Sequence, residues 1–140
     1  MKTEKREDQY RVHETDEDRA RQFDILLAYT AARRLIAITK PKFWRWDADI
    51  YRYPNFLGRA EIKYRFHKFG KYPTYTIDRS KLDVMIWKGH CAILIISWLG
   101  DIRHAEIFHP IKIVGWQERG DRDEDEDFVA HIALSEFRKL

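Results

Sequence analysis

The chain has 140 residues, 44% of them apolar and 14% aromatic, so it suffices for one domain with a real core and is too apolar to be largely disordered. Its single cysteine, Cys91, excludes a disulfide framework and a cysteine zinc cluster. The formal net charge is only +3, but residues 33–82 contain thirteen Lys and Arg against four Asp and Glu. A basic centre interleaved with aromatic residues fits an anionic polymer such as nucleic acid, although a solvated basic face is the commoner explanation.

The N-terminal residues give no sign of a targeting or membrane segment. No run approaches the roughly 20 apolar residues of a membrane span, and the charged start MKTEKREDQYR lacks the apolar core of a signal peptide. We therefore expect a soluble, cytoplasmic protein with no membrane partner. Residues 1–14 are predicted to be a charged, flexible lead-in to a single domain over residues 15–140.

The first predicted element is a helix over residues 15–34. Thr15 is suited to cap its N-terminus, and Asp18 stands at the matching position of a capping box. Four residues form an apolar stripe at helical spacing: Ala20, Phe23, Leu27 and Ala31. Proline at position 41 ends the segment.

A β-hairpin is predicted next, over residues 43–66. KFWRWDADIYRY and RAEIKYRF are rich in strand-forming residues, and PNFLG between them is typical of a turn. A loop that ends in a short extended piece leads to a second helix over residues 80–88, with Ser80 as its cap and Gly89 at its close.

The remaining elements are strands. CAILIISWL is apolar enough to be a strand covered on both faces. IRHAEIF, IKIVGW and FVAHIAL predict three more strands, with an acidic loop at 118–127 before the last. The order of elements predicts an α/β (α+β) protein with a mixed central β-sheet flanked by helices.

The second strand of the hairpin carries a cluster of charged residues. Glu61 and Lys63 point to the same face, because side chains alternate along a strand. Asp47 or Asp49 lies opposite Glu61 on that face if the turn has three or four residues, whereas a strict two-residue turn puts them on opposite faces. A solvated face that carries such a pair for solubility is the plain alternative.

Two carboxylates and a lysine between apolar flanks are costly for stability, because like charges repel and buried charges lose hydration. A divalent cation would resolve this conflict, since carboxylate oxygens are the hard ligands that Mg²⁺ prefers. A lysine beside the metal can orient a water molecule or stabilise the charge that grows on a phosphate. The set therefore suits phosphodiester hydrolysis.

The spacing D-x13-E-x-K, formed by Asp47, Glu61 and Lys63, resembles the signature of the PD-(D/E)XK nuclease superfamily, which includes restriction enzymes and Holliday-junction resolvases. The helix, hairpin, second helix and following strand resemble its αβββαβ restriction-endonuclease-like core over residues 15–108. The segment FGKYPTYTIDRSKLD is similar to small phage nuclease-like proteins. One departure is that Trp46 stands before Asp47, where the superfamily often has proline.

The resemblance implies a Mg²⁺- or Mn²⁺-dependent deoxyribonuclease, an endonuclease rather than an exonuclease, in the cytoplasm of a bacterium or a phage-infected cell. The implied catalytic residues are Asp47, Glu61 and Lys63. The implied metal ligands are Asp47, Glu61 and the backbone carbonyl of Ile62, with Glu17 and Asp49 as further candidates and Asp24 as a weaker one. The implied nucleic-acid-binding residues are Lys81, Arg65, Lys68 and Lys71.

Several alternatives stay open. Glu17 is equally explained as a first-turn acid favoured by the helix dipole, and Lys81 as a surface lysine. A catalytically silent nucleic-acid-binding or assembly protein on the same fold is the alternative function. The sequence does not decide between DNA and RNA, between duplex and branched substrates, or between a monomer and a homodimer.

Overall fold

A computed structural model of the protein describes residues 15–41, 44–108, 113–118 and 128–140. The helices in this part of the chain are α1 (Asp16–Arg33), α2 (Arg79–Met85) and a 3-10 turn at Leu134–Glu136, and none is long and apolar enough to cross a membrane. The strands are β1 (Ile36–Thr39), β2 (Ala48–Arg52), β3 (Asn55–Arg65), β4 (Thr74–Asp78), β5 (Cys91–Trp98), β6 (Asp101–Ile107), β7 (Ile113–Glu118), β8 (Phe128–Ala133) and β9 (Arg138–Lys139). The predicted lead-in at 1–14 and nearly all of the predicted acidic loop at 118–127 lie outside the described residues.

The strands form two sheets, where the sequence predicted one. A six-stranded sheet has the order β1-β2-β3-β5-β6-β9, with β3 and β5 parallel and the other pairs antiparallel. An antiparallel sheet has the order β4-β8-β7. Both faces of the larger sheet are apolar and need cover: α1 packs on one face, and α2 and the smaller sheet pack on the other. The predicted α/β (α+β) class, with a mixed sheet flanked by helices, is confirmed, and the order of α1, β1–β3, α2 and β5 is consistent with a restriction-endonuclease-like fold.

Helix α1 begins where the sequence predicted. The Thr15 hydroxyl accepts a hydrogen bond from the Asp18 backbone N–H at 3.1 Å, and the Asp18 carboxylate accepts one from the Thr15 backbone N–H at 3.2 Å. These two bonds form a capping box. The helix ends with Arg34 in the left-handed conformation, two residues before β1 begins.

The apolar stripe predicted for α1 is wrong. Its members Phe23 and Leu27 are 52% and 51% exposed, whereas Ile25, Leu26 and Tyr29 are buried against the six-stranded sheet. Both sets have helical spacing, because α1 carries apolar residues around more than one side. Packing against the sheet, rather than spacing, decides which set is buried.

Two other boundaries differ from the prediction. Strand β1 was not predicted, and it forms as an edge strand because β2 lies beside it. Helix α2 has Asp78 rather than Ser80 at its N-cap, and it ends at Met85, four residues before Gly89. Its extent is therefore shorter at the C-terminal end than the predicted 80–88.

Strand β5 is buried along its whole length, as its apolar sequence predicted. It pairs with β3 on one side and β6 on the other, so the predicted hairpin strand β3 lies in the interior of the sheet. At Gly58 of β3, a Cβ atom would collide with the carbonyl oxygen of Cys91, so only glycine lets the two strands approach there. The β3–β5 pairing holds the centre of β3, and with it the predicted site residues, against the rigid core.

Candidate active site

The turn between β2 and β3 is shorter than the three or four residues that the prediction of Asp47 opposite Glu61 required. Arg52 pairs with Asn55, so the turn consists of residues 53–54 alone. In a regular ladder, a turn of this length would put Asp47 and Glu61 on opposite faces of the sheet.

A β-bulge corrects this alignment. The register between β2 and β3 shifts by one residue between Ile50 and Tyr51, after which Ala48 pairs with Ala60. One residue beyond that pair, Asp47 reaches the side of the sheet that carries Glu61. The predicted longer turn is therefore replaced by a two-residue turn with a bulge, and the two acids still come together.

Glu61 is almost completely buried, and both of its carboxylate oxygens have partners. Its Oε1 forms an ion pair with Lys81 Nζ, and its Oε2 accepts a hydrogen bond from the Tyr75 hydroxyl at 3.3 Å. Lys81 is 4% exposed, so the alternative of an ordinary surface lysine is wrong. Burial, and then the Glu61 charge, raise the pKa of Tyr75 well above its usual 10.0, which keeps its hydroxyl a hydrogen-bond donor at neutral pH.

Asp47 is held at the edge of the same cluster. Its Oδ2 accepts a hydrogen bond from the backbone N–H of Ile62 at 2.7 Å. This bond lies just beyond Ala48 and Ala60, the last residues that pair between β2 and β3. Burial raises the pKa of Asp47; the Lys81 charge lowers it, and the Glu61 charge raises it. The Ile62 hydrogen bond and the Lys63 charge lower it further, but the net direction is upward. The two carboxylates therefore destabilise each other's charged form.

Lys63 and Arg65 continue the row of charged side chains along β3. Both lie on the face that carries Glu61, at successive steps of about 7 Å along the strand. The Arg65 guanidinium lies 5.1 Å from the centre of the Tyr75 ring. Beyond the strand, Lys68 and Lys71 are exposed. Arg65, Lys68 and Lys71 thus extend from the candidate site towards solvent. Lys81 differs from them, because it is buried against Glu61.

Asp49, the competing metal ligand, already has two partners. Its Oδ1 accepts a hydrogen bond from the Trp46 indole N–H at 2.8 Å, and its Oδ2 pairs with the Lys40 ammonium at 3.3 Å. In the register of β2 and β3, Asp49 lies opposite Arg59, whereas Asp47 lies close enough to Glu61 for that charge to raise its pKa. The geometry therefore favours Asp47 over Asp49.

A cavity of about 400 Å³ opens beside Asp47, between α1 and the six-stranded sheet. Its walls combine apolar and polar side chains: Asp16, Arg19, Ala20, Gln22, Phe23, Leu26, Thr39, Asp47 and Ile62. The first-turn acid that lines it is Asp16, whereas Glu17 and Asp24 are not among the residues that line it. Helix α1 thus brings an acid, one residue before the predicted Glu17, to the cavity that Asp47 lines, although α1 covers the face opposite the one that carries Glu61.

The donor atoms at this site suit a hard divalent cation. In the part of the chain that the structure describes, no group of three or more His, Cys, Asp and Glu gathers as a metal site. Asp47 and Glu61 nevertheless provide two carboxylates whose like charges oppose each other, which is the arrangement that Mg²⁺ or Mn²⁺ stabilises. The residues therefore fit such a cation, which would share Glu61 with Lys81.

Sequence reasoning missed Tyr75 and the burial of Lys81. Both came with a usable signal, because the alternation in TYTID puts Tyr75 on the same side as the apolar Ile77, and Lys81 stands beside the apolar Leu82. Neither signal reveals that the two side chains meet Glu61, since that contact depends on how β4 and α2 pack on β3.

Comparison with protein families gives one match. The family model described as "Phage putative PDDEXK endonuclease" matches residues 8–140, which is nearly the whole chain. No curated protein and no solved structure matches the chain.

Proposed function

Because the chain belongs to the family of phage PDDEXK endonucleases, we propose that it hydrolyses phosphodiester bonds in DNA with the help of Mg²⁺ or Mn²⁺. The observation that carries this proposal is the grouping of two carboxylates, Asp47 and the buried Glu61, with Lys63 of β3 and the buried Lys81 of α2. A protein that needed this region only for stability would gain from apolar residues here.

The cation would be held by Asp47, Glu61 and the backbone carbonyl of Ile62, with Asp49 or Glu17 as further ligands. When bound, it would polarise the phosphate oxygens and lower the pKa of a water molecule. Asp47 is preferred to Asp49, because Asp47 lies near Glu61 whereas Asp49 lies opposite Arg59 and pairs with Lys40. Asp16 deserves to be tested with Glu17, since Asp16 shares the cavity with Asp47.

The chain's own cations divide the remaining work. Lys63 lies on the open continuation of β3, where it orients the attacking water or stabilises the negative charge that grows on the phosphate. Lys81 holds the Glu61 carboxylate from beneath through an ion pair, and Tyr75 fixes its other oxygen. Lys81 thus acts on the substrate through Glu61 rather than as a surface contact. Arg65, Lys68 and Lys71 would bind the phosphates of the flanking strand.

A catalytically silent nucleic-acid-binding or assembly protein is the second candidate. One observation favours it: both oxygens of Glu61 are engaged by Lys81 and Tyr75, as they would be in a protein that has replaced the metal with a lysine. This candidate predicts DNA binding without cleavage at any metal concentration. This candidate function requires the same fold and the same basic residues as the nuclease.

The test is cleavage of labelled single-stranded, duplex, flapped and four-way branched DNA and of single-stranded RNA, with Mg²⁺, with Mn²⁺ and with a chelator. We expect internal cuts in DNA that require a metal and that are lost in Asp47→Asn. Asp83→Asn is the matched control, because Asp83 is an exposed acid on α2 that pairs only at the surface with Arg79. Binding with no cleavage under any condition would favour the silent protein. Running the wild type at several concentrations through a sizing column tests the homodimer.

A further inference from the structure

A group of aromatic and basic side chains lies beside the candidate active site, at the hairpin end of β3. We call it the aromatic cluster and define it as Phe56, Arg59, Trp87, Lys88 and His90. Phe56 lies edge-on to both Trp87 and His90, with ring centres 6.0 and 4.8 Å apart. Trp87 and His90 come from the turn that joins α2 to β5, and they pair with each other through their backbones.

Arg59 fixes the cluster to the sheet. Its guanidinium lies 3.9 Å from the centre of the buried Trp46 ring and 4.4 Å from that of Trp87, and it donates a hydrogen bond to the Val84 carbonyl at 2.7 Å. These contacts hold the inner side of Trp87 in place. Trp87 is nevertheless 39% exposed, so part of this residue reaches solvent.

The charges around this exposed ring attract an anion. Lys88 Nζ lies 4.7 Å from the centre of the Trp87 ring, at the end of an exposed and flexible side chain. Asp49, the acid opposite Arg59 on β2, is already paired with Lys40. Rigid aromatic rings bordered by cations are the features with which proteins bind single-stranded nucleic acid, because bases stack on the rings and phosphates meet the cations.

The position of the cluster connects it with the proposed cleavage. Arg59 precedes Glu61 by two residues on the same face of β3, which is about 7 Å along the strand. B-DNA rises about 3.4 Å per base along each strand. Arg59, which supports Trp87, therefore lies about two nucleotide steps along β3 from Glu61.

We propose that the aromatic cluster binds an unpaired base of the DNA substrate by stacking it on Trp87, so that the protein prefers DNA with a single-stranded segment next to the cut over continuous duplex. Bases inside a duplex are stacked on their neighbours and have no free face for a tryptophan, whereas unpaired bases do. This inference rests on the proposed function for the position of the cut, but its binding test needs no cleavage.

The test measures affinities for flapped DNA and for duplex of the same length, in chelator so that no cleavage occurs. Trp87→Ala should weaken binding of the flap about tenfold and leave the duplex affinity unchanged, since loss of base stacking has an effect of this order. Trp87→Phe should keep most of the preference, because it keeps a ring. Phe128→Ala is the matched control, because Phe128 has a similar exposure of 41% and lies in the smaller sheet.

A second measurement uses the unmodified protein, so it stands even if Trp87→Ala does not fold. Flapped DNA with 2-aminopurine at each of the first three unpaired positions should lose fluorescence at one position when the protein binds, as that base stacks. No change at any position would overturn the inference. An equal loss of flap and duplex affinity in Trp87→Ala would also overturn it, and so would altered self-association with unchanged DNA binding. Metal-dependent cleavage could persist in all three cases, which separates failure of this inference from failure of the proposed function.

Discussion

Each face of the six-stranded sheet carries a cluster of buried and half-buried ionisable residues, and the two clusters differ in how their charges are balanced. On the face covered by α1, His104 Nδ1 lies 3.0 Å from Glu106 Oε1, and His104 Nε2 lies 3.2 Å from an Arg33 guanidinium nitrogen. The Arg33 guanidinium is also within 3.7 Å of Glu106. We call these three residues the α1-face cluster. It contains one acid among basic partners.

The pKa shifts of the two clusters have opposite signs. Burial alone raises the pKa of Glu106, but the hydrogen bond and charge of His104 and the charges of Arg33 and Arg138 outweigh it, so the net shift is downward. The pKa of Asp47 shifts upward, since burial and the Glu61 charge outweigh its cationic neighbours. A carboxylate whose charged form is favoured stabilises the fold, whereas one whose charged form is disfavoured is a liability unless it binds something. The α1-face cluster therefore stabilises the fold, whereas the acids of the candidate site reduce stability, which is what the proposed function requires of them.

The largest effect is expected when the Glu61 charge, which distinguishes the candidate site from the α1-face cluster, is removed. Glu61→Gln should abolish metal-dependent cleavage and weaken Mn²⁺ binding measured by calorimetry, because a hard cation loses a charged oxygen ligand. Glutamine leaves the buried Lys81 without its charged partner, so the free energy of unfolding should fall by about 3–5 kcal/mol, and cleavage is compared after circular dichroism has shown that the variant is folded. Full cleavage by this variant would place the active site elsewhere, and an unfolded variant would make the Glu61 cluster a structural one.

The second effect concerns the charges that lead from the site to solvent. If about six cations, including Arg65, Lys68 and Lys71, meet phosphates, DNA affinity should fall by about three decades between 50 and 200 mM salt. Neutralising Lys68 and Lys71 together should reduce the slope of log affinity against log salt by about two. Salt-independent affinity in fluorescence anisotropy would argue against nucleic acid as the partner of this face. Lys139→Ala, on the far edge strand β9, provides the control.

The third effect separates the role of Lys63 from that of the acids. Lys63→Met should lower the cleavage rate by about 10²-fold while Mn²⁺ binding stays intact, the order expected when a stabiliser of the transition state is lost. Single-turnover kinetics at saturating DNA would measure this rate. If Lys63→Met lowered metal affinity as strongly as Glu61→Gln does, the division between ligands and stabiliser would be wrong.

The smallest effect tests the α1-face cluster. Glu106→Gln should lower the free energy of unfolding by about 1–3 kcal/mol at pH 7, because it leaves Arg33 without its charged partner, and cleavage should persist. The pKa of Glu106 is lowered from 4.5 by folding, so its stabilisation is present above pH 4.5 and is lost as the pH falls through the folded value. The difference in stability between wild type and Glu106→Gln should therefore shrink below about pH 4.5 in urea unfolding. A constant difference from pH 7 to pH 3 would contradict the assignment.

Local sequence determined several features of this protein. The capping box at Thr15 starts α1 at the predicted residue, and the apolar run from Cys91 to Trp98 forms the buried strand β5. The spacing of Glu61 and Lys63 assigns both to one strand face, because side chains alternate in any strand. These predictions hold because each depends on interactions within a few residues.

Tertiary structure decided how these pieces meet. A bulge, rather than the turn length, aligned Asp47 with Glu61. Packing of α1 on the sheet buried Ile25, Leu26 and Tyr29, and the predicted stripe was left outside this contact. The packing of α2 and β4 on β3 then enclosed Lys81 and Tyr75 around Glu61. Each of these outcomes depends on contacts between residues distant in the chain, whose free energy arises only when the layers pack together, so no local pattern in the sequence encodes them.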